Sequence, residues 1–468
     1  MKQYINKFLI TILTVSFLVG GCKKSFLEKT PANGLSPTEA LSDEPGMQGA
    51  VNGIYSDLRA VALYGRDFPI LGDLQADNIY VERRNSGRYL SQYNYSQTVN
   101  DAVVTEMWQV GYNAILRANQ VIDAKVTTAG AAPIRAQAYA ARALVYFKLV
   151  NIYARPYTDD PNGMGVPLVL HYDPYALPGR AKVSEVYTQI VNDLKTALQT
   201  APDYSTSVRL SKYAIEALLA RVYLYMGDYT NAKAAAMDVI SNSGFSLVTP
   251  DNYVAYWHNP AARTDKVETL FEVDADVINN NSFDDFAGMY ENGYNDMYAS
   301  SGLVNLYSNT DVRTSVLYLT QTKSGADAIG VDKFPNASSS DRDNIKVIRL
   351  SEVYLIAAEA AARTSDEATA LNYLNALMAQ RDPGMTYSSS GPALIDDIVT
   401  ERRKELAFEG DRLYDLNRLK QTINRTIDPG SIPAPATIPY SEPRRIAPIP
   451  QAETQANATL ASQQNPGY

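Results

Sequence analysis

Apolar residues recur along this chain at steps of three and four, a period that commits most of it to helix. In WQVGYNAILRANQVIDA (108–124) one stripe runs through Trp108, Tyr112, Ile115, Asn119 and Ile122. Trp108 opens that packed stripe and is read as structural. After Pro133, RAQAYAARALVYFKLVNIYA is a second long amphipathic helix. VSEVYTQIVNDLKTALQTAP (183–202) has Ser184 as its N-cap and stops at a proline, which lacks the N–H a helix needs. Two further stretches each read as a helix, a turn and a helix. One is SKYAIEALLARVYLYMGDYTNAKAAAMDVISNSG (211–244), turning at Gly227-Asp228. The other is RLSEVYLIAAEAAARTSDEATALNYLNALMAQR (349–381), broken near Thr364-Ser365.

Gly227, Tyr229 and Ala232 match the G-x-Y-x-x-A turn of tetratricopeptide repeats, where glycine relieves the helix end and alanine permits close approach. The repeat period of about 34 residues is not kept along the chain, so a regular solenoid is not indicated. Between the helices lie long irregular stretches. Residues 155–180 are rich in Pro, Gly and Asp and read as a surface excursion. Residues 245–345 carry many Asn, Asp and Tyr, with short apolar runs such as TLFEV that suit strands. Residues 428–450 hold too many prolines for helix or central strand. Loops this long in a compact protein are usually functional or ordered by a partner.

The single cysteine, Cys22, sits in FLVGGCKKSFLEKTP behind a basic start (Lys2, Lys7) and an apolar run from Phe8 to Val19. That layout resembles a bacterial lipoprotein signal, cleaved before the cysteine, whose thiol then carries lipid; an ordinary secretory signal with a chance cysteine is the alternative. Each buried acyl methylene contributes roughly 0.8 kcal/mol, so more than one chain gives a durable tether. With no second cysteine, disulfides, zinc thiolates and a cysteine nucleophile in the mature chain are excluded. His171 and His258 are the only histidines and are not clustered, which disfavours a histidine triad or a zinc hydrolase. A formal net charge of -9 argues against nucleic acid as partner. The 33 tyrosines stand out against 11 Phe and 2 Trp, and most of them are expected to pack between helices.

ERRKELAFEGDRLYDLNRLK (401–420) reads as a helix laced by i,i+3 ion pairs: Glu401 with Lys404, Glu409 with Arg412, Asp415 with Arg418. Glu405 and Glu409 could be recruited as an acid/base pair, but any charged helix offers such pairs, so the structural reading is preferred. Glu359 lies on the apolar stripe of Leu355, Ile356 and Ala362, so it is expected to be buried and to need a cation, supplied by Arg402 or Arg403.

Several segments in order resemble the SusD/RagB family of surface lipoproteins: CKKSFLEKTP after the lipid cysteine, MWQVGYNAILRANQVI, RLSEVYLIAAEA, ERRKELAFEGDRLYDLNR and the closing PIPQAETQANATLASQQNPGY. The resemblance implies an all-α body of four tetratricopeptide-like helix pairs, with long loops and a few short strands. It divides the chain into a signal peptide (1–21), an N-terminal helical region (22–245) and a C-terminal region bearing ligand-face loops (246–468), together one body. It also implies a role without bond cleavage. The protein would bind oligosaccharides at the outer membrane, facing the cell exterior, and deliver them to a SusC-like TonB-dependent transporter. Lys23 and Lys24 follow the cysteine where exported relatives often carry acidic residues.

Within that resemblance the ligand face draws on two loops. In 71–100 the polar candidates are Asp73, Asp77, Asn78, Arg83, Arg88 and Asn100, and the stacking candidates Tyr89, Tyr93 and Tyr95. In 283–300 they are Phe286, Tyr290, Tyr294 and Tyr298. Aromatic faces meet the C–H face of a pyranose, and planar polar groups take paired hydroxyls. A tyrosine every four residues also suits a core stripe, although interleaved Gly, Asn and Asp favour loop. Trp257 is compatible with either role. DADVINNNSFDD (274–285) offers oxygen ligands for Ca²⁺ without the spacing of a calcium loop; otherwise no cofactor is expected. Three other readings stand beside glycan capture: a peptide-binding relative, a lipid-anchored glycoside hydrolase, and a helical scaffold with no small ligand.

Overall fold

The computed structural model describes residues 37–291 and 293–468, so the signal and Cys22 lie outside the described residues. Its helices are α1 (Glu44–Arg59), α2 (Asp67–Leu74), α3 (Ala102–Asp123), α4 (Ala131–Tyr153), α5 (Val183–Leu198), α6 (Lys212–Met226), α7 (Tyr229–Asn242), α8 (Leu350–Arg363), α9 (Glu367–Met378), α10 (Gly391–Glu405) and α11 (Arg412–Arg418), with shorter turns between. They pack as four pairs, α1 with α3, α4 with α5, α6 with α7, and α8 with α9. Each pair also touches the next, and α10 covers α8. None of the described helices is long and apolar enough to cross a membrane.

The turns follow from local chemistry. Gly227 adopts φ +74°, and the N–H groups of Gly227 and Asp228 return to Leu224 and Tyr223 at 3.1 and 3.0 Å. That is a Schellman close, after which the Asp228 side chain caps α7 on the N–H of Asn231. Ser365 takes the equivalent left-handed place (φ +61°), with Ser365 and Asp366 N–H returning to Ala362 and Ala361 at 3.1 and 2.9 Å.

Three expectations are corrected. Helix α4 is not amphipathic: from Ala140 to Tyr153 every residue is buried, because α1, α3 and α5 all pack on it. Its buried charges are paired, Arg142 with Asp193 at 2.7 Å and Lys148 with Asp411 at 3.2 Å. Helix α5 starts two residues earlier than an N-cap at Ser184 allows, capped at Lys182, whose N–H donates to Glu185 at 2.8 Å; Ser184 falls inside the first turn. Finally, residues 401–420 are not one helix. The chain leaves α10 at Glu405 and turns through Phe408 (φ +67°) and Gly410 (φ +84°) before α11. A Cβ on Gly410 would stand 2.4 Å from the Cα of Pro69, so this turn lies backbone to backbone against α2.

Strands are short and pair two by two, all antiparallel. Strand β1 (Ile79–Val81) pairs with β3 (Met297–Ala299), Tyr80 opposite Tyr298. The TLFEV run is β2 (Thr269–Val273) and pairs with β6 (Ile345–Arg349). Strands β4 (Leu317–Gln321) and β5 (Asp327–Val331) form a hairpin. These pairs hold the irregular stretches against the helical body.

Candidate functional site

The acidic and amide candidates of the first loop serve the fold. Asp77 is buried, bonded by Arg412 Nε at 2.8 Å and close to Arg403 at 3.4 Å. Burial raises its pKa, but the two guanidiniums overcome that and hold it below the ordinary carboxylate value. Asn78 receives the Nε of Arg403 at 2.9 Å and donates to Asp73 at 2.7 Å. Asp73 is fully buried and also accepts the Gly410 N–H at 2.7 Å. Burial without a bonded cation pushes its carboxyl up to about 7, against the pull of those hydrogen bonds. These residues seal α2 and β1 onto the 406–411 turn, out of a ligand's reach.

Most of the tyrosine candidates are also interior. Tyr89 donates to buried Asp67, and Tyr95 to the carbonyl of Gln75. Tyr93 is buried beneath Arg425, whose guanidinium lies 4.2 Å from the ring centre. Phe286 and Tyr290 are fully buried in an aromatic nest with Phe334 and Phe408. Tyr298 is buried in β3, stacked on Tyr80 at 5.8 Å. The four-residue spacing fails because Tyr290, Tyr294 and Tyr298 lie successively in a short turn, a loop and a strand, which share no face.

Four candidates remain accessible: Arg83, Arg88, Asn100 and Tyr294. Arg88 and Tyr294 meet. The guanidinium carbon stands 3.6 Å from the ring centre, Nη2 donates to Tyr294 Oη at 2.6 Å, and that hydroxyl donates to Asp284 at 3.0 Å. Phe283, half exposed, sets its ring edge-on to Tyr294 at 4.9 Å. Sequence reasoning passed over Phe283, although a lone phenylalanine among Asn, Ser and Asp is itself a sign of an exposed ring. Lys323, at the β4–β5 turn, reaches the Tyr294 carbonyl and Asp296, both at 2.9 Å. Arg84 extends to the Lys323 carbonyl at 3.3 Å. The Arg83 N–H bonds the Gly430 carbonyl at 2.8 Å, joining this loop to the proline-rich stretch. There Arg83, Tyr93, Arg425, Asp428 and the rings of Pro429, Pro433 and Pro435 line an open cavity of about 540 Å³. Asn100 is exposed before α3 and does not line it.

Of the four acids that 274–285 offers for Ca²⁺, three are engaged otherwise. Asp276 accepts the N–H groups of Ile278 and Asn279 at 2.8 and 2.7 Å, while Asp284 is held by Arg66 and Asp285 by Arg342. Among the described residues no three His, Cys, Asp or Glu side chains gather as a metal-ligand set. Trp257 is buried, with the Lys333 ammonium 4.1 Å from its ring.

Glu359 is buried, but its cation is Arg418, in a fork of two 2.7 Å bonds, with Arg363 adding a third at 2.8 Å. Arg402 is taken by Glu352 and Asp415, and Arg403 by the loop at Asp77. Two of the i,i+3 pairs form, Glu401–Lys404 at 2.7 Å and Asp415–Arg418 at 2.8 Å, both in the interior. Glu409 meets Arg349 and Lys333 instead of Arg412. Glu405 is fully buried among Arg381, Arg349 and Arg313. Burial opposes its ionisation, yet the three guanidiniums hold its pKa well below the ordinary value, which does not suit a general acid.

Comparison with known proteins agrees with this architecture. Residues 25–224 match a family model described as starch-binding associating with outer membrane, and residues 318–468 match that of the SusD family. SusD-like protein P2 of Formosa agariphila is 27% identical across the whole of both chains. A SusD-like protein of Bacteroides ovatus is 25% identical, over 89% of this chain and 83% of its own. Among solved structures, a putative sugar binding protein from Bacteroides vulgatus superposes with a TM-score of 0.82 at 29% identity, covering 91% of this chain and 98% of its own. A SusD superfamily protein from Bacteroides thetaiotaomicron gives 0.82 at 28% identity, covering 90% and 99%. With both ends of the chain matched and the helical body shared, the protein belongs to the SusD/RagB family.

Proposed function

We propose that the protein captures oligosaccharides without cleaving them, held by lipid on Cys22 at the outer membrane and facing outward. It then passes them to a SusC-like TonB-dependent transporter. The observation that carries the reading is the Phe283–Tyr294–Arg88 platform, an exposed ring and a stacked guanidinium on a loop whose Arg83 lines an open cavity. A sugar's C–H face packs on such rings while the guanidinium edge donates to its hydroxyls. The names of the relatives support a carbohydrate ligand, and the ion-paired state of Glu405 and Glu409 supports a role without hydrolysis. Affinity electrophoresis of the protein lacking residues 1–22 against a polysaccharide panel, with product analysis, tests the reading. Retardation without new reducing ends is expected, weakened at least tenfold by Tyr294→Ala. Sugar release would refute the non-catalytic role, and binding of peptides alone would refute the glycan.

A further inference from the structure

Arg83, Arg84 and Arg88 fall within six residues of an acidic chain, and none of them has a carboxylate within ion-pair distance among the described residues. Arg83 and Arg84 are exposed and Arg88 is half-buried. The surrounding acids do not answer them. Glu82 is fully buried and accepts the Ser324 N–H at 2.9 Å. Asp296 is buried and bonded by Ser86 and Lys323, and Asp428 by the Ser301 N–H at 2.9 Å. Asp284 pairs with Arg66, which Asp67 shares, and accepts the Tyr294 hydroxyl at 3.0 Å. Asp327 stays exposed on β5, accepting from Gln321 at 3.3 Å. The loop therefore turns three guanidiniums outward with no carboxylate in ion-pair contact among the described residues, Arg83 at the cavity, Arg84 against the Lys323 carbonyl and Arg88 in the aromatic platform, on a molecule whose net charge is -9.

We propose, resting on the glycan-binding reading above, that this face selects an anionic glycan through Arg83, Arg84 and Arg88. The shared chemistry is a sugar-borne oxyanion, a uronate carboxylate or a sulfate ester, received by the planar fork of a weakly hydrated guanidinium. An acidic protein repels such a polymer in general, so outward guanidiniums whose neighbouring carboxylates are mostly turned inward would also favour where it docks. Arg88 is prepared for this: stacking on Tyr294 holds its plane, leaving less side-chain freedom to lose on binding.

The test pairs polymers that differ only in charge, against the protein lacking residues 1–22. Polygalacturonate is set against its methyl ester, and a sulfated galactan against the same galactan desulfated. At least one charged member is expected to bind on the order of tenfold more tightly than its neutral partner, with the advantage shrinking between 50 and 500 mM NaCl. Whichever pair shows it names the oxyanion. Arg83→Gln, Arg84→Gln and Arg88→Gln should each weaken that binding roughly three- to tenfold, with an unchanged melting temperature for the two exposed positions. Equal or tighter binding of the neutral members, or arginine variants without effect, overturns the charge selection and leaves glycan capture standing. Tighter binding of duplex DNA than of either charged glycan also overturns it. Failure of every polysaccharide to bind overturns both.

Discussion

Glu359 is the position where burial and charge oppose each other most directly, and its replacement by glutamine can be worked through. The carboxylate is fully buried and accepts two 2.7 Å bonds from Arg418 and one at 2.8 Å from Arg363. Burial, the largest single influence, raises its pKa, but Arg418 first, then Arg363 and Arg402, pull it from 4.5 to about 2. A depressed pKa means that the folded state prefers the ionised form. The stabilisation is complete above the unfolded value near 4.5 and disappears as the pH falls towards 2. That difference corresponds to about 3 kcal/mol at neutral pH, in keeping with the loss when one partner leaves a buried pair. Glutamine keeps the shape but not the charge, leaving Arg418 with only Asp415 at 2.8 Å. Urea unfolding of Glu359→Gln should therefore show a loss of about 3 kcal/mol at pH 7, shrinking to about half at pH 3 as the wild-type carboxylate protonates. A loss below about 1 kcal/mol at pH 7, or one that does not change with pH, would refute the reasoning.

Two further outcomes are expected. Ser365 is held at φ +61° in the turn between α8 and α9, where a side chain is strained, so Ser365→Gly should raise unfolding stability by roughly 1 kcal/mol in the same urea assay; no gain would mean that the strain is offset locally. The Asp73 carboxyl, raised from 3.8 to about 7 chiefly by burial, keeps its proton in the folded state after the unfolded chain has released it. Stability therefore falls as pH rises through that interval, and between pH 5 and 8 wild type should lose about 2–3 kcal/mol relative to Asp73→Asn, which has no proton to lose there; parallel pH profiles would count against it.

What the sequence disclosed was local, and what it concealed depended on distant chain. The turn at Gly227-Asp228, the break at Thr364-Ser365 and the TLFEV strand all follow from residues within a few positions of each other. That Glu359 needs a cation was equally legible from its stripe. Which cation it meets was not, because the left-handed turn at Phe408 and Gly410 resets the helix phase between Arg402 and Arg418. The same turn claims Asp73, so a residue that read as a free hydrogen-bonding group is instead sealed against the Gly410 N–H. Spacing cannot separate Tyr290 from Tyr294, yet Phe334 and Phe408 enclose the first while the second opens beside Arg88. Arg84 sits beside Arg83 in the sequence, but its link to the Tyr294 loop shows only once its guanidinium is seen to reach the Lys323 carbonyl.

The buried charges explain how such long irregular stretches keep one position. A loop without a helical stripe cannot be fixed by an apolar face alone. Here Glu268 before β2, Asp311 and Arg313 in the loop after β3, Lys333 after β5, Arg349 at the end of β6, Arg381 after α9, Glu401, Lys404 and Glu405 at the end of α10, and Glu409 in the turn after it form one interior network. Its five cations and five carboxylates balance. Replacing such a network by well-packed apolar groups can be neutral or even stabilising, whereas a single missing partner leaves a buried charge whose cost is several kcal/mol. A network of this kind therefore favours one arrangement of its parts more than it adds stability to that arrangement. Because the loops that carry its charges also carry the proposed ligand face, a register shift that would misplace Tyr294 or Lys323 has to strand a carboxylate or a guanidinium in the interior. The accessible platform can then be built from loops and still be presented in a fixed geometry, which is what stacking on a sugar ring requires.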